Sequence, residues 1–298
     1  MSSDAKTALR YTPLMLVPER APTPRNLFSF SRVKTFHQCP MRYRYRYLKG
    51  LKEVFRSIES HLGTVVHDVL EWLYDERTSR SSPSLESALE VLAERWSAGF
   101  DDAVAVIRIG DRADDYLITA REMLESFHNG AYRRDRSSTV ALEQRLSRRL
   151  SDDIVFTGFA DRIGRTETGR LFVIDYKTSK NAGDPSEFSE GLQAPLYAAC
   201  ALEHNEDDEA LAGYHYLRHD TTSWTTVDNT RAQELLERFH QLAAEVNRST
   251  EFEPRPGVLC AWCGFNAICP AATVPPALAG GLEKARETEA RNPRLFDS

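Results

Sequence analysis

The stretch from Ile154 to Lys177 constrains the fold more than any other part of the chain. IVFTGFADRIG alternates apolar and polar residues, Glu167–Gly169 supplies a turn, and LFVIDYK follows. The pattern predicts two strands of a hairpin, over 154–164 and 171–177. Residues two apart on a strand share a face, about 6.6 Å apart along the chain. Asp175 and Lys177 therefore project together, and Asp161 on the first arm joins them in a suitable register. Carboxylates and an ammonium make a poor core patch, because unpaired buried charge is costly. They make a good site for a hard divalent cation, which prefers oxygen ligands. Such an ion polarises a phosphodiester and acidifies water, and Lys177 can orient that water or steady the developing charge. By itself, D-x-K is more often an ion pair on a solvated strand face.

The surroundings sharpen the reading. Gly63, His67 and Glu71 recur at four-residue spacing within an amphipathic helix predicted over 63–79, so they share one face. Gly63 permits close approach, and His67 offers an imidazole to a Mn²⁺ or Mg²⁺ site. After Lys177 comes a loop, then a helix predicted over 189–204 in which Gln193 and Tyr197 are one turn apart. Further helices are expected at 84–100, 112–133 and 229–249, with a first strand at 138–150 and a second strand pair at 213–219 and 223–228. Glu143, on the strand before the hairpin, is a weaker candidate for an outer ligand. No G-x-x-x-x-G-K-[ST] occurs, so nothing points to an ATP-driven motor.

The order G-x-x-x-H, G-F-x-D, I-D-Y-K-T, Q-x-x-x-Y is far more specific than any part of it. It resembles the RecB-like branch of the PD-(D/E)XK nuclease superfamily. The resemblance implies a restriction-endonuclease-like α/β core, a mixed central sheet flanked by helices. It also implies metal ligands His67, Asp161, Asp175 and the Tyr176 carbonyl, a catalytic Lys177, and Gln193 and Tyr197 placing substrate and lysine. The chain departs from the family pattern at Gly164 and Ser179, and neither change removes a ligand.

The 5 cysteines include Cys260-x2-Cys263-x5-Cys269, with Cys39 far upstream and Cys200 read as a small core residue. Three close cysteines need a fourth ligand, and Cys39 can close either a zinc site or a [4Fe–4S] cluster. Spacing does not choose between the two. The resemblance does, since one N-terminal Cys plus C-x2-C-x5-C is similar to the iron–sulfur RecB-like nucleases, among them CRISPR-associated exonucleases and the AddB nuclease half. The cluster would then be a clasp joining N- and C-terminal segments. The expected organisation is a tail over 1–26, one nuclease domain over 27–270 and a second tail over 271–298. Within the domain, the helical part spans 60–135, the sheet core 138–228, and the clasp Cys39 with 254–270.

Net charge is -6, yet residues 29–52 hold Arg32, Lys34, Arg42, Arg44, Arg46, Lys49 and Lys52 and no acid. Interleaved Phe30, Phe36, Tyr43, Tyr45 and Tyr47 suggest a groove for single-stranded DNA, with Arg32, Lys34, Arg42, Tyr43, Arg44 and Arg46 as contacts. If the stretch is helical, the aromatic side serves equally as core. Arg133, Arg134, Arg136, Arg145, Arg148 and Arg149 can extend the positive surface, although a solvated face is the default for them.

No apolar run approaches a membrane span and no export signal opens the chain, so the expectation is a cytoplasmic, nucleoid-associated protein without a membrane partner. The implied function is a metal-dependent exonuclease acting on single-stranded or end-containing DNA, 5′-to-3′ by resemblance, alone or beside a helicase, CRISPR or repair partner. The alternative is a non-catalytic DNA-binding or assembly protein that keeps the fold.

Overall fold

A computed structural model of the chain describes residues 26–75, 83–179, 190–205 and 207–271. The expected tails lie almost wholly outside these residues. The chain enters through the short strand β1 (Leu27–Phe28), helix α1 (Phe30–Gln38) and helix α2 (Pro40–Tyr43), which passes into a π-helical turn at Arg44–Leu48. Ser29 caps α1 by accepting from the Arg32 amide, and Pro40 begins α2, where a missing amide proton costs nothing. A small parallel pair follows, β2 (Arg56–Ser57) with β3 (Val104–Ala105), which the sequence pattern does not announce.

Three helices form one layer: α3 (Ile58–Tyr74), α4 (Leu85–Gly99) and α5 (Ala113–Phe127), the last continuing into a π turn at His128–Tyr132. Helix α3 starts earlier than the predicted 63 because Ser57 caps it, and it ends at Tyr74 rather than 79. The sheet then runs through β4 (Ser138–Arg149), β5 (Val155–Arg165), β6 (Leu171–Lys177), β7 (Glu209–Tyr216) and β8 (Thr221–Asp228). Strand β7 begins at Glu209, so its span differs from the expected 213–219, and residues 217–220 make the turn. Helix α6 (Gln193–Asn205) links β6 to β7, and α7 (Asn229–Arg248) follows β8.

The sheet order is β1-β5-β6-β7-β8, with β4 antiparallel along β5. Strand β6 is antiparallel to β5 and parallel to β7, so the sheet is mixed. Alternation along β6 builds two cores. Leu171 and Val173 join the apolar residues of α1, α6 and α7 on one face. Phe172, Ile174 and Tyr176 join α3, α4 and α5 on the other. The result is a helix–sheet–helix sandwich whose central strand carries Asp175 and Lys177 at its C-terminal end. No helix among the described residues is long and apolar enough to cross a membrane.

Candidate metal centre and its surroundings

The site lies where the sheet forks. The β5–β6 ladder runs from Arg165↔Leu171 to Arg162↔Ile174 and ends there. At the next step the Asp161 carboxylate, not a backbone carbonyl, accepts from the Tyr176 amide at 2.8 Å. That bond fixes the side chain of one acid against the strand carrying the other. His67, on α3, brings Nδ1 to 3.4 Å from Asp161 Oδ2. His67, Glu143 and Asp161 each offer a ligand atom within 4.8 Å of the others. Glu143 reaches this position from β4 with a left-handed backbone, φ 43°, which interrupts the regular ladder.

Electrostatically the site is short of positive charge. Burial first, and then the Asp175 carboxylate, push Asp161 well above the ordinary carboxylate range. Burial and Asp161 raise Glu143 to about 7. Asp175 is 4% exposed at its side chain, and Lys177 Nζ stands 2.5 Å from its Oδ2. Half-buried oxygen donors crowded beside an imidazole fit a hard divalent cation, which removes the repulsion.

On the other side, Lys177 Nζ donates to Gln193 Oε1 at 3.1 Å, and Gln193 Nε2 donates to the Tyr197 hydroxyl at 3.3 Å. Both residues sit on the first turns of α6, whose remaining residues are mostly small and buried. The glycines of the sequence pattern now have reasons. A Cβ at Gly158 would stand 2.5 Å from Tyr197 Cε1, and one at Gly63 would stand 3.3 Å from Thr178 Oγ1. The departure at Gly164 is also steric, since a Cβ there would meet the Phe172 ring at 2.4 Å and the Ser138 carbonyl at 2.5 Å.

A network that sequence reading does not find backs the site on the opposite face. Arg162, 3% exposed, pairs with Asp135 at 2.7 Å and donates to Ser137 and Thr139. Its guanidinium lies 3.7 Å from the centre of the Tyr74 ring. Asp135 and Arg162 are 27 residues apart, so no local spacing advertises them.

The structure places the four cysteines expected to share one metal group around a common pocket. Cys39, Cys260, Cys263 and Cys269 line one small pocket, closed by Tyr45, Phe265 and Pro254. Cys39 is the cap residue between α1 and α2, and the others lie around short 3₁₀ turns at Val258–Trp262 and Asn266–Ile268. The Tyr45 hydroxyl donates to the Ile268 carbonyl at 3.2 Å and ties the two ends. An all-sulfur donor set in an apolar pocket fits a structural metal group. Cys200 is buried in the core as expected, and burial pushes its thiol up to about 12.

The basic stretch requires a correction. Arg32 is 2% exposed and Tyr43 also 2%, so neither stands free at the surface as a DNA contact would, although both border a cavity with Val246 and Phe252. Arg32 packs over the Phe28 ring and bonds the Leu27 carbonyl and the Tyr43 hydroxyl. Arg42 and Arg46 both bind Glu53, at 3.0 and 2.7 Å. Lys34 lies over Phe30, and only Arg44 of the expected contacts stands exposed on its turn. The aromatic side is core, because Tyr43 packs between Phe36, Tyr47 and Phe252.

A model of the PD-(D/E)XK nuclease superfamily matches residues 27–270. The chain is 26% identical over 203 residues to a subunit of the ATP-dependent helicase/deoxyribonuclease of Streptococcus mutans, a match covering 65% of this chain and 18% of that protein. The protein of the same name from Streptococcus agalactiae serotype Ia is 28% identical over 172 residues, covering 56% and 15%. The Gene 69 protein of Mycobacterium phage L5 is 30% identical over 131 residues, covering 40% and 41%. The chain thus spans less than a fifth of the length of the helicase/deoxyribonuclease relatives it matches. With the mixed sheet, the forked acid pair and the adjoining lysine in place, the match over 27–270 identifies this chain as a RecB-like member of the PD-(D/E)XK nuclease superfamily.

Proposed function

We propose that the protein is a metal-dependent DNA exonuclease that hydrolyses phosphodiester bonds at single-stranded ends, with 5′-to-3′ polarity. The observation that carries the reading is the convergence of His67 on Asp161 and of Lys177 on Asp175 at one forked strand end. His67, Asp161, Asp175 and the Tyr176 carbonyl would hold Mg²⁺ or Mn²⁺, with Glu143 available as an outer ligand. Such an ion supplies charge neutralisation at the phosphate and acidifies water. Lys177 orients the attacking water and steadies charge on the phosphate oxygens. Gln193 accepts from Lys177 and so fixes the ammonium, while Tyr197 holds the amide of Gln193. The names of the helicase/deoxyribonuclease relatives support DNA as substrate and a helicase as partner. Repair, recombination or defence against foreign DNA is the setting in this reading.

Residues 27–270 act in this reading as one nuclease unit in the cytoplasm. The cysteine pocket holds a [4Fe–4S] cluster that clasps its ends. Cys39 with Cys260-x2-Cys263-x5-Cys269 around one apolar pocket supports this reading. The test is Mn²⁺-dependent digestion of end-labelled single-stranded DNA by anaerobically prepared protein, wild type beside Asp175→Ala. Cleavage present in wild type and absent in the variant is expected, and the label gives the polarity. A cluster-loaded wild type that binds DNA without cutting it would instead establish a DNA-binding role without catalysis.

A further inference from the structure

Beyond the metal ligands, a line of side chains leads from the site to the cysteine pocket. Strand β7 ends beside Lys177, with Tyr216 its register partner and the Leu217 amide donating to the Lys177 carbonyl at 2.9 Å. Arg218 comes next, and its Nε donates to the Thr178 carbonyl at 3.0 Å. Thr178 in turn faces Gly63, one turn before His67 on α3. Four residues of helix advance about 6 Å, so Arg218 is tied to the rim roughly one helical turn from a metal ligand. Among the described residues its two terminal nitrogens meet no hydrogen-bond acceptor and no carboxylate at ion-pair distance. Burial and the nearby Arg108 hold the guanidinium below the ordinary arginine value. An arginine kept half-buried, near a second one, with no acceptor on its terminal nitrogens among the described residues, is poised for an anion.

Arg108 continues the line. Its Nε lies 3.7 Å from Glu59 Oε1, and its guanidinium carbon lies 6.0 Å from the centre of the Trp262 ring. The Trp262 indole donates to the same Glu59 oxygen at 3.3 Å, as does the Tyr116 hydroxyl at 3.2 Å. Glu59 therefore fixes the aromatic plane and Arg108 relative to each other. Cations that follow a backbone, ending on a fixed aromatic face, are the components of a single-strand track.

Resting on the nuclease reading above, we propose that Arg218 and Arg108 bind the phosphate neighbouring the scissile one, on a single-strand DNA lane that ends with a base stacked on Trp262. An unpaired base is required, because a duplex keeps its bases stacked on each other and away from the ring.

The test combines Arg218→Gln with methylphosphonate scanning, in which one linkage of a labelled oligodeoxynucleotide is made neutral at a time. Initial cleavage rates are measured with Mn²⁺ over a range of salt. Arg218→Gln is expected to lower kcat/KM about tenfold, mainly through KM, and to reduce the log–log salt slope by about 0.7, one phosphate's share for a single strand. A neutral linkage next to the cut should lower wild type to the level of the variant and leave the variant unchanged. Arg218→Gln with wild-type KM and salt slope would overturn the proposal, as would losses that multiply at every linkage. Should the variant not fold by circular dichroism, the scan on wild type decides, and insensitivity at both linkages flanking the cut refutes the lane. Wild type that cleaves none of the oligonucleotides removes the nuclease reading itself, and the lane with it.

Discussion

Gly158→Ala tests whether the far end of the lysine relay matters. Gly158 lies in β5 directly beneath Tyr197, and an added Cβ would stand 2.5 Å from Cε1, 2.9 Å from the hydroxyl and 3.0 Å from Cζ. The ring is 4% exposed and backed by Phe156, with centroids 6.1 Å apart, so it has little room to retreat. Gly158 has no left-handed backbone, so the cost is steric and falls in the overpacking range of about 1–3 kcal/mol. For a folded unit of this size that lowers Tm by roughly 2–12 °C. The functional cost is larger. Moving the Tyr197 hydroxyl disturbs its 3.3 Å contact with Gln193, and through it the 3.1 Å bond that holds Lys177. A misplacement of about 1 Å at a reacting group costs on the order of 100-fold in rate. Thermal melts followed by circular dichroism and single-turnover DNA cleavage read the two effects separately. Tyr197→Phe, which removes the hydroxyl without adding bulk, should lower the rate with a smaller change in Tm. A Gly158→Ala protein with lowered Tm and wild-type rate would refute the relay. One with unchanged Tm would refute the packing argument.

Two further outcomes follow from charge and from the cysteines. Asp135→Ala leaves Arg162 buried without its carboxylate, and breaking one side of such a pair costs about 3–5 kcal/mol, here near the lower end because Asp135 is 20% exposed. Burial opposes the Asp135 charge, but Arg162 and the Ser137 hydrogen bonds outweigh it and hold the carboxyl below its usual value. Its contribution is therefore complete above the unfolded pKa of about 3.9 and is lost as pH falls through the lower folded value. Urea unfolding of wild type and variant should differ at pH 7 and converge in acid; equal midpoints at pH 7 would sink the argument. On the proposed cluster reading, Cys263→Ser should reduce bound iron and the visible absorbance of anaerobic protein, and lower Tm, because metal binding counts as folding free energy. A variant as stable as wild type would show that the pocket is no clasp.

The parts of the site that can be read from sequence are those fixed by one element's own period. Asp175 and Lys177 share a face because strands repeat every two residues, and Gly63 and His67 share one because helices return after four. Arg32 and Tyr43 show the limit. Their composition suits a nucleic-acid groove, but their burial depends on Phe28, Phe252 and a π turn whose extra residue per bond redirects the following side chains. Arg218 lies just past a strand end, where periodicity stops, and Asp135 meets Arg162 only through the closed sheet. The same two-residue period explains why this hidden pair belongs to the site. Arg162 follows Asp161, and Tyr176 separates Asp175 from Lys177, so each strand that presents a proposed ligand on one face presents a member of the buried network on the other. Burial pushes the Tyr176 phenol up and the nearby Arg162 cation opposes it, while Asp135 holds Arg162 from below. The fork that separates β5 from β6 removes backbone hydrogen bonds where the proposed ligands stand. Behind it Arg162 ties β5 to Asp135, Ser137 and Thr139 at the start of β4 and lies over the Phe172 ring of β6 at 5.2 Å, so the strand that carries Asp161 is braced next to the carboxylate it repels on β6.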